Sequence, residues 1–108
     1  MASLTLCIRY TLDPNLVRHF RTYAENEQPI IERAGGKIVA YWAPTEFAGP
    51  TNIAYGLIDF PSLADYERYR KVLAEDPEHR RIAQMFEQSG VVIAVERAFI
   101  ERIDYDKK

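Results

Sequence analysis

One cysteine, Cys7, is all the thiol chemistry this chain possesses. That excludes an intrachain disulfide, a Cys-x-x-Cys redox pair and any cysteine-rich zinc cluster, and it fits a reducing compartment. Long apolar runs are also missing: no stretch approaches the roughly 18 consecutive apolar residues of a membrane-crossing helix. The opening Met1-Ala2-Ser3-Leu4-Thr5-Leu6-Cys7-Ile8-Arg9 has no cationic segment ahead of an apolar core. A cytoplasmic protein with no membrane span is therefore expected. Charge of one sign is scarce too, since 14 Lys and Arg against 16 Asp and Glu leave a net charge of -2. No nucleic-acid partner is expected from so even a balance. There is no Gly-rich phosphate loop, no nucleophile elbow and no Ser-His-Asp set. The two histidines, His19 and His79, stand apart from any His, Cys or carboxylate set at metal-ligand spacing, so no metal site and no cofactor are expected. Haem, which needs only one imidazole, is the single group left open.

What the chain does have is apolar and aromatic material in the right amount for one core. Its 108 residues are 47% hydrophobic and 12% aromatic, and a chain of this size buries roughly two-thirds of its unfolded surface. No linker or low-complexity run divides residues 1–108, which read as a single domain.

Leu4, Leu6, Ile8 and Tyr10 alternate with Thr5, Cys7 and Arg9 in the period of a first strand. Asp13-Pro14 places an N-cap acceptor before a proline, and Leu16, Val17, Phe20, Tyr23, Ala24, Ile30, Ile31 and Ala34 form a helical stripe that Gly35-Gly36 ends. Pro29 inside that stripe predicts a bend near 25–29 within one helix. Residues 37–43 and 52–60 are strand-like, joined by a Pro- and Gly-containing loop over 44–51. Ser62 followed by Asp65 caps a second helix running to about 75, and Asp76-Pro77 opens a short third one that Ser89-Gly90 closes. The last strand spans 91 to about 102, with a frayed tail from 104.

The order is β-α-β-β-α-β, with the second helical unit broken at Asp76-Pro77. This is an α+β, ferredoxin-like arrangement with a four-stranded antiparallel sheet and both helical units on one face. The other face should be polar if it met solvent. Instead Ile53, Tyr55 and Leu57 oppose Ala54, Gly56, Ile58 and Phe60, so the third strand is apolar on both sides. Val91, Ile93 and Val95 against Val92 and Ala94, and Val39 and Tyr41 against Ile38, Ala40 and Trp42, repeat the case. A second subunit is expected to cover the free face, giving a homodimer with a cavity or barrel between protomers.

The stretch Gly35-Gly36, Tyr41-Trp42-Ala43-Pro44-Thr45-Glu46, Ala54-Tyr55-Gly56-Leu57, Phe60-Pro61-Ser62-Leu63, Tyr66-Glu67-Arg68-Tyr69-Arg70 and Asp76-Pro77 resembles the NIPSNAP family. It spans nearly the whole chain. The resemblance implies a homodimeric, ferredoxin-like protein of the dimeric α+β barrel superfamily. That superfamily includes cofactor-free and haem-degrading monooxygenases, isomerase-like enzymes and regulatory ligand-binding modules, so fold alone selects no reaction.

The candidate ligand-binding residues are Arg9, Tyr41, Trp42 and Tyr55. Arg9 is a permanent cation on an otherwise apolar or small-residue strand and can hold an anion, or pair with Glu96. Tyr41 and Trp42 must point to opposite faces, and with Tyr55 could wall a mixed apolar and polar pocket, or serve as packing. Glu46, Asn52 and Asp59 read as loop or strand-end polar groups, and Arg68, Arg70, Lys71, Arg80 and Arg81, interleaved with acids, as a solvated face. Two functions are compatible with this pattern. One is a dimer that binds a small hydrophobic or anionic molecule in the barrel cavity, as a cofactor-independent monooxygenase or isomerase. The other is a non-catalytic dimer binding a metabolite or a protein. No catalytic residue stands out.

Overall fold

The structure, a computed structural model, describes residues 4–103 and residue 105. Apart from Tyr105, the tail expected from 104 onward lies outside the described residues. Seven elements follow in order: β1 (Leu4–Leu12), α1 (Val17–Arg33), β2 (Lys37–Trp42), β3 (Ile53–Phe60), α2 (Leu63–Glu75), α3 (Pro77–Ser89) and β4 (Val92–Glu101). The strands form one antiparallel sheet in the order β2-β3-β1-β4, the ferredoxin-like topology expected of the β-α-β-β-α-β order.

The alternation of β1 decides which face is the core. Leu6, Ile8, Tyr10 and Leu12 are buried and pack with Ala54, Ile58 and Phe60 of β3, Phe20 and Ile31 of α1 and Tyr69 of α2. Fully burying a side chain such as Phe20 or Phe60 contributes roughly 1.5–3 kcal/mol each, so this face accounts for much of the stability. All three helices lie on it.

Several local details differ from the pattern read in the sequence. Helix α1 begins at Val17, three residues after Pro14, because Asp13 is occupied otherwise. Its carboxylate accepts the Asn15 N–H at 2.9 Å, its carbonyl accepts Leu16 N–H, and its own N–H donates to the Val91 carbonyl. The Asp13-Pro14 signal therefore marks a turn tied to β4 rather than a helix cap. The helix then runs through Pro29 as a single element, as expected. Helix α3 is as long as α2, at 13 residues each, and Asp76 caps it as expected, accepting from the N–H groups of Glu78 and His79.

Strict alternation also fails at both sheet edges. In β2 the register slips between Ile38 and Ala40, so Ile38 and Tyr41 both pack on the core while Val39 is exposed. In β4 it slips opposite Thr11 and Leu12, so Val92 and Val95 both face the helices and Ile93 is 64% exposed. Each irregularity is a β-bulge, which inserts one residue and turns the next side chains over.

Candidate functional site

The sheet separates two places where chemistry could be carried. On the face away from the helices, the strand registers place Trp42 opposite Tyr55, Tyr55 opposite Arg9 and Arg9 opposite Glu96. Four side chains thus form one row across all four strands. Three of the four expected ligand residues, Arg9, Trp42 and Tyr55, are brought together here. Arg9 donates to Glu96 at 3.2 Å, and the Tyr55 hydroxyl, then Glu96, favour its charged form. Trp42 is 50% exposed and Tyr55 38%. The row is an open surface, and it encloses no volume within one chain.

Tyr41 is on the other side. A Cβ added to its cross-strand neighbour Gly56 would fall within 2.3–2.9 Å of the Tyr41 ring, so the absence of a side chain at 56 is what lets that ring lie flat over β3. Its hydroxyl reaches into a cavity of about 280 Å³ between sheet and helices. That volume is at the lower end of small-molecule sites.

This interior cavity is polar where a protein core is usually not. Glu27 of α1 is 1% exposed, and both its oxygens lie near Nδ1 of His79 in α3, at 2.9 and 3.1 Å. The hydroxyl-bearing rings of Tyr10, Tyr23, Tyr41, Tyr66 and Tyr69 join the lining, with Arg97 of β4 and Arg70 of α2. Neighbouring rings hold the tyrosines in place. Tyr23 stacks on Phe86 at 3.9 Å, Tyr10 meets Phe20 edge-on at 4.9 Å, and Phe60 sits 4.8 Å from Tyr69.

Electrostatics follow from burial. The phenols of Tyr10, Tyr23, Tyr41 and Tyr69 are pushed above their ordinary range, chiefly by desolvation, so they remain neutral donors at any working pH. Desolvation also pushes the Glu27 carboxyl up, against the opposing charge and hydrogen bond of His79. An imidazole whose Nδ1–H donates to a buried carboxylate keeps Nε2 as its free, basic nitrogen. The pair is braced from outside. Arg33 at the end of α1 donates to Asp76 at 2.9 Å and to Glu78 at 2.8 Å, clamping the first turn of α3, which carries His79, onto the helix that carries Glu27.

The remaining polar candidates have structural employment. Asn52 donates to the Leu12 carbonyl at 3.1 Å, Asp59 accepts from Thr5, and Glu46 is exposed on its loop. His19 lines only a surface cleft between α1 and α3. Among the described residues no group of three or more His, Cys, Asp or Glu could hold a metal ion.

The chain matches the NIPSNAP family over residues 5–105. It belongs to that family. Solved structures share the NIPSNAP fold at low identity. An uncharacterised NIPSNAP-like domain protein from Burkholderia xenovorans superposes with a TM-score of 0.79 at 22% identity, over 98% of this chain and 90% of that one. A NIPSNAP family protein of unknown function from Agrobacterium tumefaciens gives 0.78 at 20%, over 96% and 91%. A proposed antibiotic biosynthesis monooxygenase from Bordetella bronchiseptica gives 0.72 at 10%, over 95% and 99%. At these identities the likeness establishes the fold alone. No match was found among curated proteins.

Sequence reasoning passed over Glu27 and gave Tyr10, Tyr23 and Tyr69 only packing roles; it weighed His79 only as a metal or haem ligand. For Glu27 a signal exists: it falls on the α1 stripe between Tyr23 and Ile30, a carboxylate where an apolar residue is due.

Proposed function

We propose that this NIPSNAP protein is a homodimeric, small-molecule enzyme whose site is the cavity inside each protomer, with His79 as general base and Glu27 as the group that orients it. The observation that carries this proposal is the buried Glu27–His79 pair facing a cavity lined by hydroxyl groups. A carboxylate taken out of water costs free energy, and strongly perturbed ionisable groups beside a cavity concentrate at functional sites.

The arrangement suits removal of a proton from a weakly acidic C–H or O–H. Nε2 of His79 takes the proton, Glu27 stabilises the imidazolium, and phenolic donors hold the oxygen on which charge develops. Such a deprotonation opens both isomerisation and cofactor-independent oxygenation, the two reactions compatible with a chain so poor in motifs. The apolar part of the wall, Leu6, Ile8, Ile31, Ile58 and Leu73, suits a hydrophobic substrate body.

Dimerisation is supported by the free face. Trp42, Tyr55 and Ile100 leave apolar area uncovered on it, and a second sheet stacked there buries that area. Native mass spectrometry of protein purified from cells tests both parts. A mass near twice 12.5 kDa with a discrete small-molecule adduct is the expected result. A monomer removes the dimer. An empty dimer, together with no cavity-residue shifts on soaking with small aromatic ketones in NMR, favours the non-catalytic binding reading.

A further inference from the structure

The helix-side row of the edge strand β4 carries one charged residue, Arg97, which is exposed to solvent and also lines the cavity. Opposite the buried row of β1, the side chains facing the helices are Val95 paired with Tyr10, Arg97 paired with Ile8 and Phe99 paired with Leu6. Two of the three are apolar, as a core-facing row requires. Arg97 places a guanidinium, the bulkiest and most permanent cation, between them.

That cation has no counter-ion. Among the described residues, no carboxylate lies within ion-pairing range of Arg97 and no hydrogen bond engages it; exposed arginines such as Arg21 and Arg80 also lack acidic partners, but Arg97 is one of two arginines that line this cavity. The one carboxylate in the cavity wall, Glu27, is already bonded to His79 through both oxygens. Arg70, the other cation of the wall, donates to the Tyr66 hydroxyl at 2.9 Å, and the Tyr66 ring meets Phe99 edge-on at 4.9 Å. Arg70 and Arg97 both line the cavity and both are exposed to solvent. The lining thus holds two solvent-reachable guanidinium groups and one carboxylate that is already engaged.

We infer that the cavity takes a small, flat molecule bearing a carboxylate, which Arg97 grips at the rim while the body of the molecule lies among the tyrosine rings toward His79; this assignment rests on the ligand role proposed for the cavity. A guanidinium presents two parallel N–H donors that match a carboxylate, and the aromatic wall favours an unsaturated or ring-bearing body. Holding the anionic end at the rim also fixes which carbon faces Nε2 of His79, making Arg97 a residue of specificity and positioning.

Two sterically matched probes, phenylacetate and phenylacetamide, test this by NMR titration of the whole protein. The wild type is expected to bind phenylacetate at least tenfold more tightly, with shifts at Tyr10, Tyr23 and His79. Arg97→Met should abolish that preference, Arg97→Lys should keep part of it, and Arg9→Met, altered on the opposite face of the sheet, should leave it intact. Wild-type-like amide spectra confirm that each variant is folded, and Arg97→Lys carries the test if the methionine variant is not. Equal binding of the two probes overturns the anion assignment while leaving the cavity a ligand site. A preference lost in Arg9→Met and kept in Arg97→Met overturns it in favour of the outer face. Absence of cavity shifts with either probe overturns the ligand role itself, and this assignment with it.

Discussion

Glu27 and His79 stand 52 positions apart in sequence, yet both carboxylate oxygens of the one lie within 3.1 Å of the same nitrogen of the other. The contact joins the middle of α1 to the first turn of α3 in a place sealed from bulk water on the Glu27 side. On the role proposed for the pair it gives up stability for chemistry, and the two effects can be measured separately.

Glu27→Gln should stabilise the protein at neutral pH. The folded-state pKa of Glu27 is raised, chiefly by burial. Below the ordinary carboxylate pKa the residue is protonated in both states and costs nothing. As pH rises through the raised value the folded state must carry a buried charge and stability is lost. The glutamine variant should therefore match the wild type in acid and exceed it near neutrality, in urea melts run at several pH values. A variant less stable than the wild type at pH 7 would mean that the ionised pair is a net structural asset.

At the other carboxylate of this region the sign reverses. Burial alone would raise the Asp76 carboxyl, but the His79 N–H, the Arg33 guanidinium and the Glu78 N–H outweigh it and hold it below its usual range. Its contribution is present above the ordinary carboxylate pKa and fades as pH falls through the lowered one. Asp76→Ala should lower the melting temperature at pH 7, with the deficit shrinking toward pH 3. A deficit independent of pH would point to lost packing instead of lost capping.

Gly56→Ala should cost about 1–3 kcal/mol, because the added methyl group enters the Tyr41 ring. Shrinking that ring removes the conflict. In a double-mutant cycle, Tyr41→Leu should restore most of the loss caused by Gly56→Ala, so the two effects are strongly non-additive. Additive losses would place the strain elsewhere.

Trp42→Asp alters the outer row without touching the core. Its expected outcome is a folded chain with half the native mass of the wild type, measured by light scattering, whereas Ile58→Asp, at a position 1% exposed, should unfold the domain. If Trp42→Asp leaves the mass of a dimeric wild type unchanged, the sheets do not meet through that row.

The elements were legible in the sequence because local signals agreed with tertiary ones. Ser62 with Asp65, and Asp76-Pro77, open α2 and α3 where the structure has them, and the two-sided apolar pattern of β3 marked its central place in the sheet. Asp13-Pro14 misled, since the same carboxylate that can cap a helix can also close an Asx turn, and contact with Val91 decides between them. The site was half legible. Arg9 and Tyr55 share a row through strand period and register, and the bulge at Val39 turns Trp42 into that row while it turns Tyr41 in among the helices. Glu27 and His79 remained invisible as a pair, for nothing within either helix encodes the crossing that joins them.

His79 belongs to two walls. It lines the interior cavity, and it also lines the open groove between α3 and β4 beside Ala83, Val92 and Val95. On the role proposed for it, this second wall brings solvent in the groove close to the imidazole without passing through the cavity. If His79 serves as the base proposed, proton exchange with that solvent would make its resetting depend on the buffer concentration in the groove rather than on any motion of the fold.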